Sequence, residues 1–318
     1  MLKSKNIAVV IPAYNEELQI QKVIDSMPDF VDKVFVVNDG SQDKTAEIAS
    51  GAGAVVLTHK ENRGVGFAFK TGVDAVVEEG YDIMVNIDAD GQFNPKDIIK
   101  LVTPIINDEA DFVTASRFKD KTLIPDMPKS KLWGNKKMSH LISWITKHKI
   151  YDVSCGFRAY NRNALLRMNL FGEFTYTQET FIDLAFKNLK IEEVPVKVRG
   201  TREYGKSRVA SNLFKYAIKT FKIIIKAYRD YKPLRLFGYF ALFTFLLSLG
   251  FGVFFIIYYI NTGSFSPHKW AGFVAGFFFI LSLVFLMIGF ILDMFARMRQ
   301  NQENILFELK SHETKQQQ

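Results

Sequence analysis

Short apolar runs alternate with longer polar stretches over the first two-thirds of the chain. The runs at residues 7–11 and 34–37 are continuous and rich in β-branched side chains, which is typical of strands in a parallel sheet. Residues 17–27 between them have helical spacing that ends at Pro28. The alternation continues with a helix at residues 43–50, a strand at 54–57, a helix at 64–79 and a strand at 83–88. This order predicts an α/β fold with a mostly parallel sheet.

The next stretch contains both kinds of element. Asn94 and Pro95 predict a helix start, because asparagine caps helices and proline suits the first helical position. A strand is predicted at residues 111–116, a helix at 129–147 and a late strand at 193–198. Because a proline cannot donate a hydrogen bond to a sheet, Pro195 places the late strand at a sheet edge.

Two long apolar runs, at residues 236–260 and 271–292, interrupt this pattern. A helix needs about 20 apolar residues to cross a hydrocarbon core of about 30 Å, and both runs are long enough. A helix buried inside a soluble domain is the alternative. The runs predict a two-helix transmembrane hairpin in the cell membrane.

Cationic residues flank the predicted hairpin on both sides. Lys232 and Arg235 precede the first run, and Arg297 and Arg299 follow the second. The connection at residues 261–269 contains one lysine and one histidine. Since lysine and arginine are enriched in cytoplasmic loops, the domain before the hairpin and both termini are expected in the cytoplasm.

The segment before the hairpin, residues 211–230, carries a basic stripe. Its cationic residues recur every three or four positions, which places them on one side of a helix. They are Lys215, Lys219, Lys222, Lys226 and Arg229. The opposite side is apolar and aromatic, so the segment is expected to lie in the bilayer interface as an amphipathic helix. The alternative is a helix packed on the preceding domain with its lysines in water.

Composition narrows the classes of partner. The 318 residues have a formal net charge of +8, and the lysines concentrate beside the apolar runs. An anionic lipid surface is therefore expected as a partner, and nucleic acid is not. Cys155 is the only cysteine, which excludes an intrachain disulfide. The apolar run at residues 7–11 is too short for a cleavable signal peptide and is stopped by Pro12.

Residues 85–92 are an apolar strand that runs into two carboxylates and an amide. Side chains alternate between faces along a strand, so Asp88 and Asp90 are expected to project the same way. Two close carboxylates cannot both be ionised cheaply unless a cation lies between them. A divalent metal that carries a substrate phosphate meets this need, because Mg²⁺ prefers oxygen ligands. A solvated turn is the alternative, and these residues alone leave both readings open.

Three polar segments follow predicted strands, at residues 12–16, 39–40 and 88–92. In α/β sheets, ligands bind at the carboxyl ends of the strands. The three segments are therefore expected to converge on one crevice.

The segments at residues 11–17, 37–41 and 85–92, in this order, resemble the family 2 inverting glycosyltransferases. The resemblance covers roughly residues 5–210. It implies a GT-A fold that binds a nucleotide sugar linked to UDP or GDP.

Three later stretches resemble one branch of that family, which moves a sugar onto polyprenyl or dolichyl phosphate and includes the dolichol-phosphate mannose synthases. The stretches are residues 155–158, 178–179 and 202–207. The implied function is the transfer of a sugar to a lipid phosphate with anomeric inversion, which supplies a donor for glycan or glycoprotein assembly. The implied partners are the nucleotide sugar, the lipid phosphate and the bilayer, and a homo-oligomer stays open.

The resemblance also implies roles for single residues around the donor. Asp90 and Gln92 would coordinate Mg²⁺ or Mn²⁺, and Asp88 would help to hold the metal or the nucleotide. The base and ribose pocket would be formed by Pro12, Tyr14, Glu16 and Asp39.

A second group of residues would act on the acceptor. Arg117 would hold its phosphate, and a second phosphate-binding run would comprise Arg202, Lys206 and Ser207. Arginine suits this role because its planar fork can donate two hydrogen bonds to one phosphate. Glu179 would act in the active site. The alternatives are surface cations and, for Glu179, an acidic side chain that complements a helix dipole.

These expectations divide the chain into a cytoplasmic catalytic domain at residues 1–210, a juxtamembrane segment at 211–235, the hairpin at 236–292 and a cytoplasmic tail at 293–318. A processive polysaccharide synthase is the nearest alternative function, but the Gln-x-x-Arg-Trp run of those relatives is absent. A non-catalytic membrane scaffold that binds a nucleotide sugar is the alternative from another class, and the complete motif from Asp88 to Gln92 disfavours it.

Overall fold

The computed structural model describes residues 2–169, 176–199, 222, 225–226 and 229–316. The chain separates into two compact units. One comprises Met1–Ile224 with Ile305–Gln318, and the other comprises Ile225–Asn304.

The first unit is built on a seven-stranded sheet in the order β3-β2-β1-β4-β6-β5-β7. The strands are β1 (Ile7–Ala13), β2 (Lys33–Asn38), β3 (Val55–Thr58), β4 (Ile83–Asn86), β5 (Phe112–Ser116), β6 (Arg158–Asn161) and β7 (Ile191–Pro195). All neighbouring pairs are parallel except those that β6 makes with β4 and β5. The predicted mostly parallel sheet is confirmed, and β7 with Pro195 lies at its edge, as expected.

Helices cover the sheet between the strands. They are α1 (Ile20–Asp25), α2 (Thr45–Gly51), α3 (Val65–Glu78), α4 (Ile98–Ile106), α5 (Lys129–Thr146), α6 (Arg162–Arg167) and α7 (Tyr176–Phe186). A 3₁₀ turn at Pro95–Asp97 leads into α4, and the side chain of Asn94 caps it by accepting a hydrogen bond from Lys96 N. The predicted helix start at Asn94 is therefore confirmed.

Strand β1 continues through Pro12, although the sequence predicted that the strand would stop there. Pairing explains the difference. The carbonyl of Val10 accepts from Ile87 N, so Pro12, two positions on, faces the same side. Strand β4 has already ended on that side, and no donor is missing from the ladder. Ala13 faces β2 instead, and its carbonyl accepts from Asp39 N.

Strand β4 ends at Asn86, two residues before the carboxylate pair, and not at residue 88 as predicted. Asp88 follows as irregular chain, and Asp90 lies in a turn that Gly91 continues with φ +69°. Strand alternation therefore does not orient the two carboxylates. The turn places them instead, at the carboxyl end of a buried strand.

Helix α3 packs directly on the central strand β1. Gly72 permits the approach, because a Cβ at this position would lie 2.3 Å from Val10 Cγ1. Val10 is fully buried, and its branched side chain has little freedom to move aside. This contact fixes the position of α3 on the sheet. The helix begins next to Gly64, which is bonded to Asp39 of the second polar segment.

The second unit is a helical hairpin of α8 (Pro233–Thr262) and the first part of α9 (Lys269–Gln316). Ser248 Oγ donates to the carbonyl of Ala275, 2.8 Å away, and the rings of Phe251 and Phe278 are stacked. Both helices are long and apolar enough to cross a membrane, and only 17% of each apolar window is buried. A helix from the core of a soluble domain would be mostly buried, so the exposure favours membrane spans.

Of the predicted basic helix at residues 211–230, the structure describes residues 222, 225, 226, 229 and 230, so most of that prediction lies outside the described residues. The predicted tail at residues 293–318 contains no break after the second apolar run, because α9 continues to Gln316.

The contact between Gly72 and Val10 predicts a stability change that depends on position. Gly72→Ala should lower the free energy of unfolding by about 1–3 kcal/mol, because the added methyl group overlaps a buried valine. Gly134→Ala, inside α5, meets no atom within 4 Å and should raise it by about 0.5–1 kcal/mol. Thermal unfolding midpoints of the detergent-solubilised proteins test this pair. Equal shifts in both variants would contradict the packing argument.

Candidate active site

The loops after β1 and β2 are hydrogen-bonded to each other. Asn15 N donates to Ser41 Oγ over 2.9 Å, and Asn15 Oδ1 accepts from Gln42 N over 2.9 Å. Glu16 N donates to Thr45 Oγ1 over 2.8 Å. Asn15 has a positive φ of 53°, which asparagine tolerates better than most residues. These bonds therefore hold the first two predicted segments side by side. Tyr14 and Glu16 belong to the first of them.

Asp39, predicted to bind the nucleotide, is buried at the end of β2. Its carboxylate accepts from Arg63 N over 3.0 Å and from Gly64 N over 2.8 Å. His59 Nδ1 lies 2.7 Å from Asp39 Oδ1, and its Nε2 lies 2.9 Å from Thr71 Oγ1. Asp39 thus anchors the loop that enters α3.

The same loop passes over Gly40, next to Asp39. A Cβ at Gly40 would lie 2.6 Å from the backbone carbon of Glu61, and Gly40 has φ +71°. Both the space and the backbone conformation require glycine. The predicted second segment is therefore constrained by backbone packing as well as by any ligand.

The third predicted segment follows β4, which pairs in parallel with β1. It therefore lies at the same edge of the sheet as the loops after β1 and β2. Asp90 is buried, with 3% exposed, and its Oδ1 accepts from Gln92 N over 3.0 Å. Gln92 Nε2 donates to the carbonyl of Arg199, and Arg199 N donates to the carbonyl of Gln92. This pair of bonds joins the segment to the chain after β7 and fixes the amide of Gln92.

Asp88 lies against the loop before β6. A Cβ at Gly156 would come within 2.8 Å of Asp88 Oδ1, so a larger residue here would displace the carboxylate. Asn86 holds the loop there, because its Nδ2 donates to the carbonyl of Gly156 over 2.8 Å and to Tyr176 Oη over 2.9 Å. The buried residue Asn86 thus connects the carboxylate segment to α7.

Tyr176 begins the described part of α7 and is stacked on Phe69, with ring centres 4.3 Å apart. Burial and the charge of Asp88 raise the pKa of Tyr176 well above its usual value. It therefore remains a neutral phenol. Glu179 is three residues after Tyr176 and lies in the first turn of the described helix, as predicted. Gln178 beside it is buried.

Arg117, predicted to hold the acceptor phosphate, follows β5 directly. Its Nε and Nη2 donate to the two oxygens of Asp152 over 2.7 and 2.9 Å, and Nη2 also donates to Ser154 Oγ over 2.7 Å. The Arg117 side chain is 21% exposed, and that of Asp152 is fully buried. Among the described residues, Arg117 Nη1 has no hydrogen-bond partner.

Arg117 and Asp152 each stabilise the charged form of the other. Burial opposes the charge of Arg117, but Asp152 outweighs burial and raises the pKa of Arg117, with a smaller contribution from Asp88. Burial likewise raises the pKa of Asp152, and the Arg117 charge and hydrogen bonds outweigh it, so the net pKa is lowered. The side chain of Arg117 is thus a cation that Asp152 and Ser154 hold in place.

Glu193 of β7 holds the backbone of the loop that precedes β6. Its carboxylate accepts from Tyr151 N and Asp152 N, each over 2.8 Å. Burial raises the pKa of Glu193. Arg158 is fully buried and donates to the carbonyls of Val153, Cys155 and Thr177. These contacts fix both ends of the loop that carries Gly156.

Cys155 lies inside this loop and is 1% exposed. Burial raises the pKa of its thiol to about 12. A thiol that stays protonated and buried is a poor nucleophile. Cys155 therefore has a structural role in the loop.

Sequence reasoning did not find the positioning roles of Asn86, Asp152, Ser154, Glu193 and His59, and it singled out Arg158 only as part of the stretch at residues 155–158. A signal was available for some of them. Asn86 stands inside an apolar run between Val85 and Ile87, and a polar residue in a buried strand needs a partner. The partners themselves are 70 and 90 residues away along the chain, and the sequence does not show them.

The second predicted phosphate run, Arg202, Lys206 and Ser207, lies outside the described residues. The chain that leads to it passes Gln92, to which Arg199 is bonded. The other predicted residues are placed on three strand-end loops, the loop after β5 and the start of α7. Their roles remain predictions.

The donor set fits a divalent metal that is shared with a substrate. Asp88, Asp90 and Gln92 provide hard oxygen atoms within five residues. The buried amide oxygen of Gln19 has no hydrogen-bond partner among the described residues and would lie 3.1 Å from a Cβ at Gly91. Within the described part of the chain, no three His, Cys, Asp or Glu side chains are grouped to hold a metal alone. Substrate phosphates would have to complete the coordination.

Comparison with solved structures supports the fold. Glucosyl-3-phosphoglycerate synthase from Mycobacterium tuberculosis, in complex with Mn²⁺, UDP and glucosyl-3-phosphoglycerate, is similar with a TM-score of 0.55 and 23% identity. The match covers 70% of this chain and 80% of that protein. The sheet and its helices thus have the GT-A fold that the resemblance implied.

Two curated relatives are similar over most of their length. A UDP-N-acetylglucosamine–dolichyl-phosphate N-acetylglucosaminyltransferase from Methanococcus voltae is 34% identical over 228 residues, which cover 65% of this chain and 90% of the relative. A polyprenol monophosphomannose synthase from Mycolicibacterium smegmatis is 26% identical over 222 residues, or 66% and 83%. Residues 8–168 match the family described as Glycosyl transferase family 2. The strand-end segments, the fold and these matches together establish that this chain is a member of glycosyl transferase family 2.

Proposed function

We propose that this protein transfers a sugar from a nucleotide sugar to polyprenyl phosphate, with inversion at the anomeric carbon. The observation that carries the proposal is that three polar segments lie at the carboxyl ends of neighbouring strands. The named relatives that act on dolichyl or polyprenyl phosphate support the lipid acceptor. The two candidate spans provide a membrane anchor beside such a lipid.

In this proposal the donor lies across the loops after β1, β2 and β4. Pro12, Tyr14, Glu16 and Asp39 form the nucleotide side, and the diphosphate reaches the segment from Asp88 to Gln92. Mg²⁺ or Mn²⁺ bound there would neutralise charge on the diphosphate as it leaves. Asp88, Asp90 and Gln92 would hold that ion, and the bond from Gln92 to Arg199 keeps the amide in place.

The acceptor needs little activation, because a phosphate is already an anion at neutral pH. The task of the protein is then to bring two anions together and to orient them. Arg117 can do this with its Nη1, which has no hydrogen-bond partner among the described residues, while Asp152 and Ser154 accept from the other donors. Direct attack by the acceptor oxygen on the anomeric carbon gives inversion.

The distal part of the acceptor site is assigned from sequence. Arg202, Lys206 and Ser207 precede the basic segment at residues 211–230, which we propose lies in the bilayer interface. Residues near that interface could meet a phosphate whose polyprenyl chain stays in the bilayer. Glu179 would orient the acceptor or the sugar from the first turn of α7.

Removal of one metal-binding carboxylate should nearly abolish transfer. Asp90→Asn should lower the rate by about 100-fold or more, because a preorganised charge at the leaving group is lost. Asp74→Asn, an exposed acidic residue on α3, is the matched control and should keep full activity. The assay is transfer to polyprenyl phosphate with Mg²⁺ or Mn²⁺ and with chelator. Full activity of Asp90→Asn in chelator would remove the metal from the proposal.

The second phosphate run should act on the acceptor and not on the donor. Arg202→Ala should weaken the use of lipid phosphate by at least about tenfold, since a lost partner of a poorly hydrated phosphate costs about 2–5 kcal/mol. Arg202→Lys should restore only part, because the ammonium lacks the bidentate fork. The control is Arg297→Ala, whose side chain is 79% exposed.

Two measurements separate the sites in this series. Transfer is followed against lipid-phosphate concentration, and nucleotide-sugar affinity is measured by calorimetry. If Arg202→Ala abolished nucleotide binding but left the dependence on lipid phosphate unchanged, the residue would belong to the donor site.

The hairpin predicts which side of the membrane each segment faces. We propose that the loop between α8 and α9 lies outside the cytoplasm, because lysines and arginines flank the hairpin at its other ends. In a Cys155→Ser background, Ser264→Cys should react with an impermeant thiol reagent in intact cells, whereas Asn301→Cys should react only after permeabilisation. The reverse labelling pattern would invert the topology and place the catalytic domain outside.

A further inference from the structure

Asp39, on the nucleotide side of the proposed crevice, has most of its acceptor positions occupied by the protein itself. A carboxylate has about four lone pairs that can accept hydrogen bonds. Oδ1 accepts from Arg63 N over 3.0 Å and from His59 Nδ1 over 2.7 Å. Oδ2 accepts from Gly64 N over 2.8 Å. Within the part of the chain that the structure describes, the remaining acceptor position therefore lies on Oδ2.

The imidazole of His59 keeps Oδ1 of Asp39 occupied. Because a carboxylate only accepts hydrogen bonds, His59 Nδ1 carries a proton and donates. On the other side of the ring, Nε2 lies 2.9 Å from Thr71 Oγ1 of helix α3. The backbone N of His59 donates to the carbonyl of Asn38 over 2.9 Å. Contacts at both ring nitrogens and at the backbone thus hold the imidazole in one orientation.

The surroundings of Asp39 oppose a rotation that would present both of its oxygens to a ligand. Its side chain is 4% exposed, and a rotation would break the three bonds together. The loop that supplies these donors is closed against Gly40, because a Cβ there would lie 2.6 Å from Glu61 C and 2.7 Å from Asn62 N. A ligand therefore meets the carboxylate in the orientation that the protein sets.

Nucleobases differ in the hydrogen-bond donors that their edges present. Uracil has a single N–H, at N3, between two carbonyl oxygens. Guanine has adjacent N–H donors at N1 and N2, and a carboxylate accepts from both only when each of its oxygens faces one donor. Cytosine has an acceptor at N3, which a carboxylate repels. The remaining position on Oδ2 matches uracil, and Oδ1, which faces His59, brings no second negative oxygen against the uracil carbonyls.

We propose that the donor is a uridine diphosphate sugar, and that His59 is a positioning residue that disfavours guanosine because it occupies the oxygen of Asp39 that a guanine amino group would need. The inference rests on the proposed function, in which Asp39 contacts the base. A guanine in this site would leave an N–H donor buried without an acceptor, which weakens binding. Sites that recognise a ligand by hydrogen bonds discriminate strongly when an analogue leaves such groups unpaired.

Calorimetry on the detergent-solubilised full chain, with and without Mn²⁺, tests the base preference with UDP, GDP and CDP. The three ligands share the ribose and the diphosphate, so the comparison isolates the base. UDP should bind at least about tenfold more tightly than GDP or CDP, because each of the others leaves a buried polar group unpaired. CDP also controls for size, since cytosine and uracil have the same ring. Equal binding of CDP and UDP would overturn recognition through N3.

Variants of His59 separate the positioning role from a merely structural one. His59→Leu removes the donor to Oδ1 and should narrow the ratio of UDP to GDP affinity by about fivefold or more, because a second acceptor becomes available to guanine. His59→Gln, whose amide N–H can replace the ring N–H, should restore the ratio. A structural loss would weaken both nucleotides alike and leave the ratio unchanged.

Two further variants complete the series. Thr71→Val removes only the hydroxyl that holds Nε2, so it should narrow the ratio in the same direction even if His59→Leu does not fold. His140→Leu, at an exposed histidine of α5, is the matched control and should keep the ratio of the unmodified protein. Thermal unfolding midpoints show whether each variant is folded.

The outcomes distinguish this inference from the proposed function. GDP binding as tight as that of UDP would overturn the uridine assignment and leave sugar transfer from a nucleotide donor standing. An unchanged ratio in folded His59→Leu and Thr71→Val would overturn the role of His59. If none of the three nucleotides bound, with or without Mn²⁺, the inference and the proposed function would both fall, because no nucleotide sugar would then serve as the donor.

Discussion

Parallel pairing of β1 with β2 and β4 is the constraint on which the catalytic domain depends. It brings the carboxyl ends of three strands to one edge, and each strand delivers a polar loop there. The lengths of the strands then shape the crevice. Because β4 stops at Asn86 while β1 continues to Ala13, the chain after β4 is free to turn with its carboxylates. The same early end of β4 makes Pro12 acceptable in a central strand.

A chain of buried polar contacts supports that edge from the other half of the sheet. Glu193 holds the backbone of Asp152, Asp152 holds the guanidinium of Arg117, and Ser154 adds a further bond. A cation that two neighbours already orient loses little freedom when a phosphate binds, which favours preorganised binding. Asn86 performs a similar task, since it ties Gly156 and Tyr176 to the strand that precedes Asp88.

Two parts of the chain have the composition of segments that contact a membrane. The hairpin of α8 and α9 is apolar and mostly exposed, which suits a lipid environment better than a soluble core. The basic segment at residues 211–230 combines lysine with aromatic side chains. An enzyme whose acceptor lies in the bilayer benefits from several weak surface contacts, because together they limit the orientations that its crevice can adopt.

The sequence by itself determined the α/β class, the two long apolar helices and the three strand-end segments, because these depend on local apolar patterns and on short motifs. It also identified Arg117 and Glu179 as candidates. Only the tertiary structure decided where β4 ends, that Pro12 lies within β1, and that β6 runs antiparallel between β4 and β5. It alone joined Arg117 to Asp152 and Asp39 to His59. Strand ends depend on where a neighbouring strand stops, and buried polar residues depend on partners distant along the chain, so neither follows from local sequence.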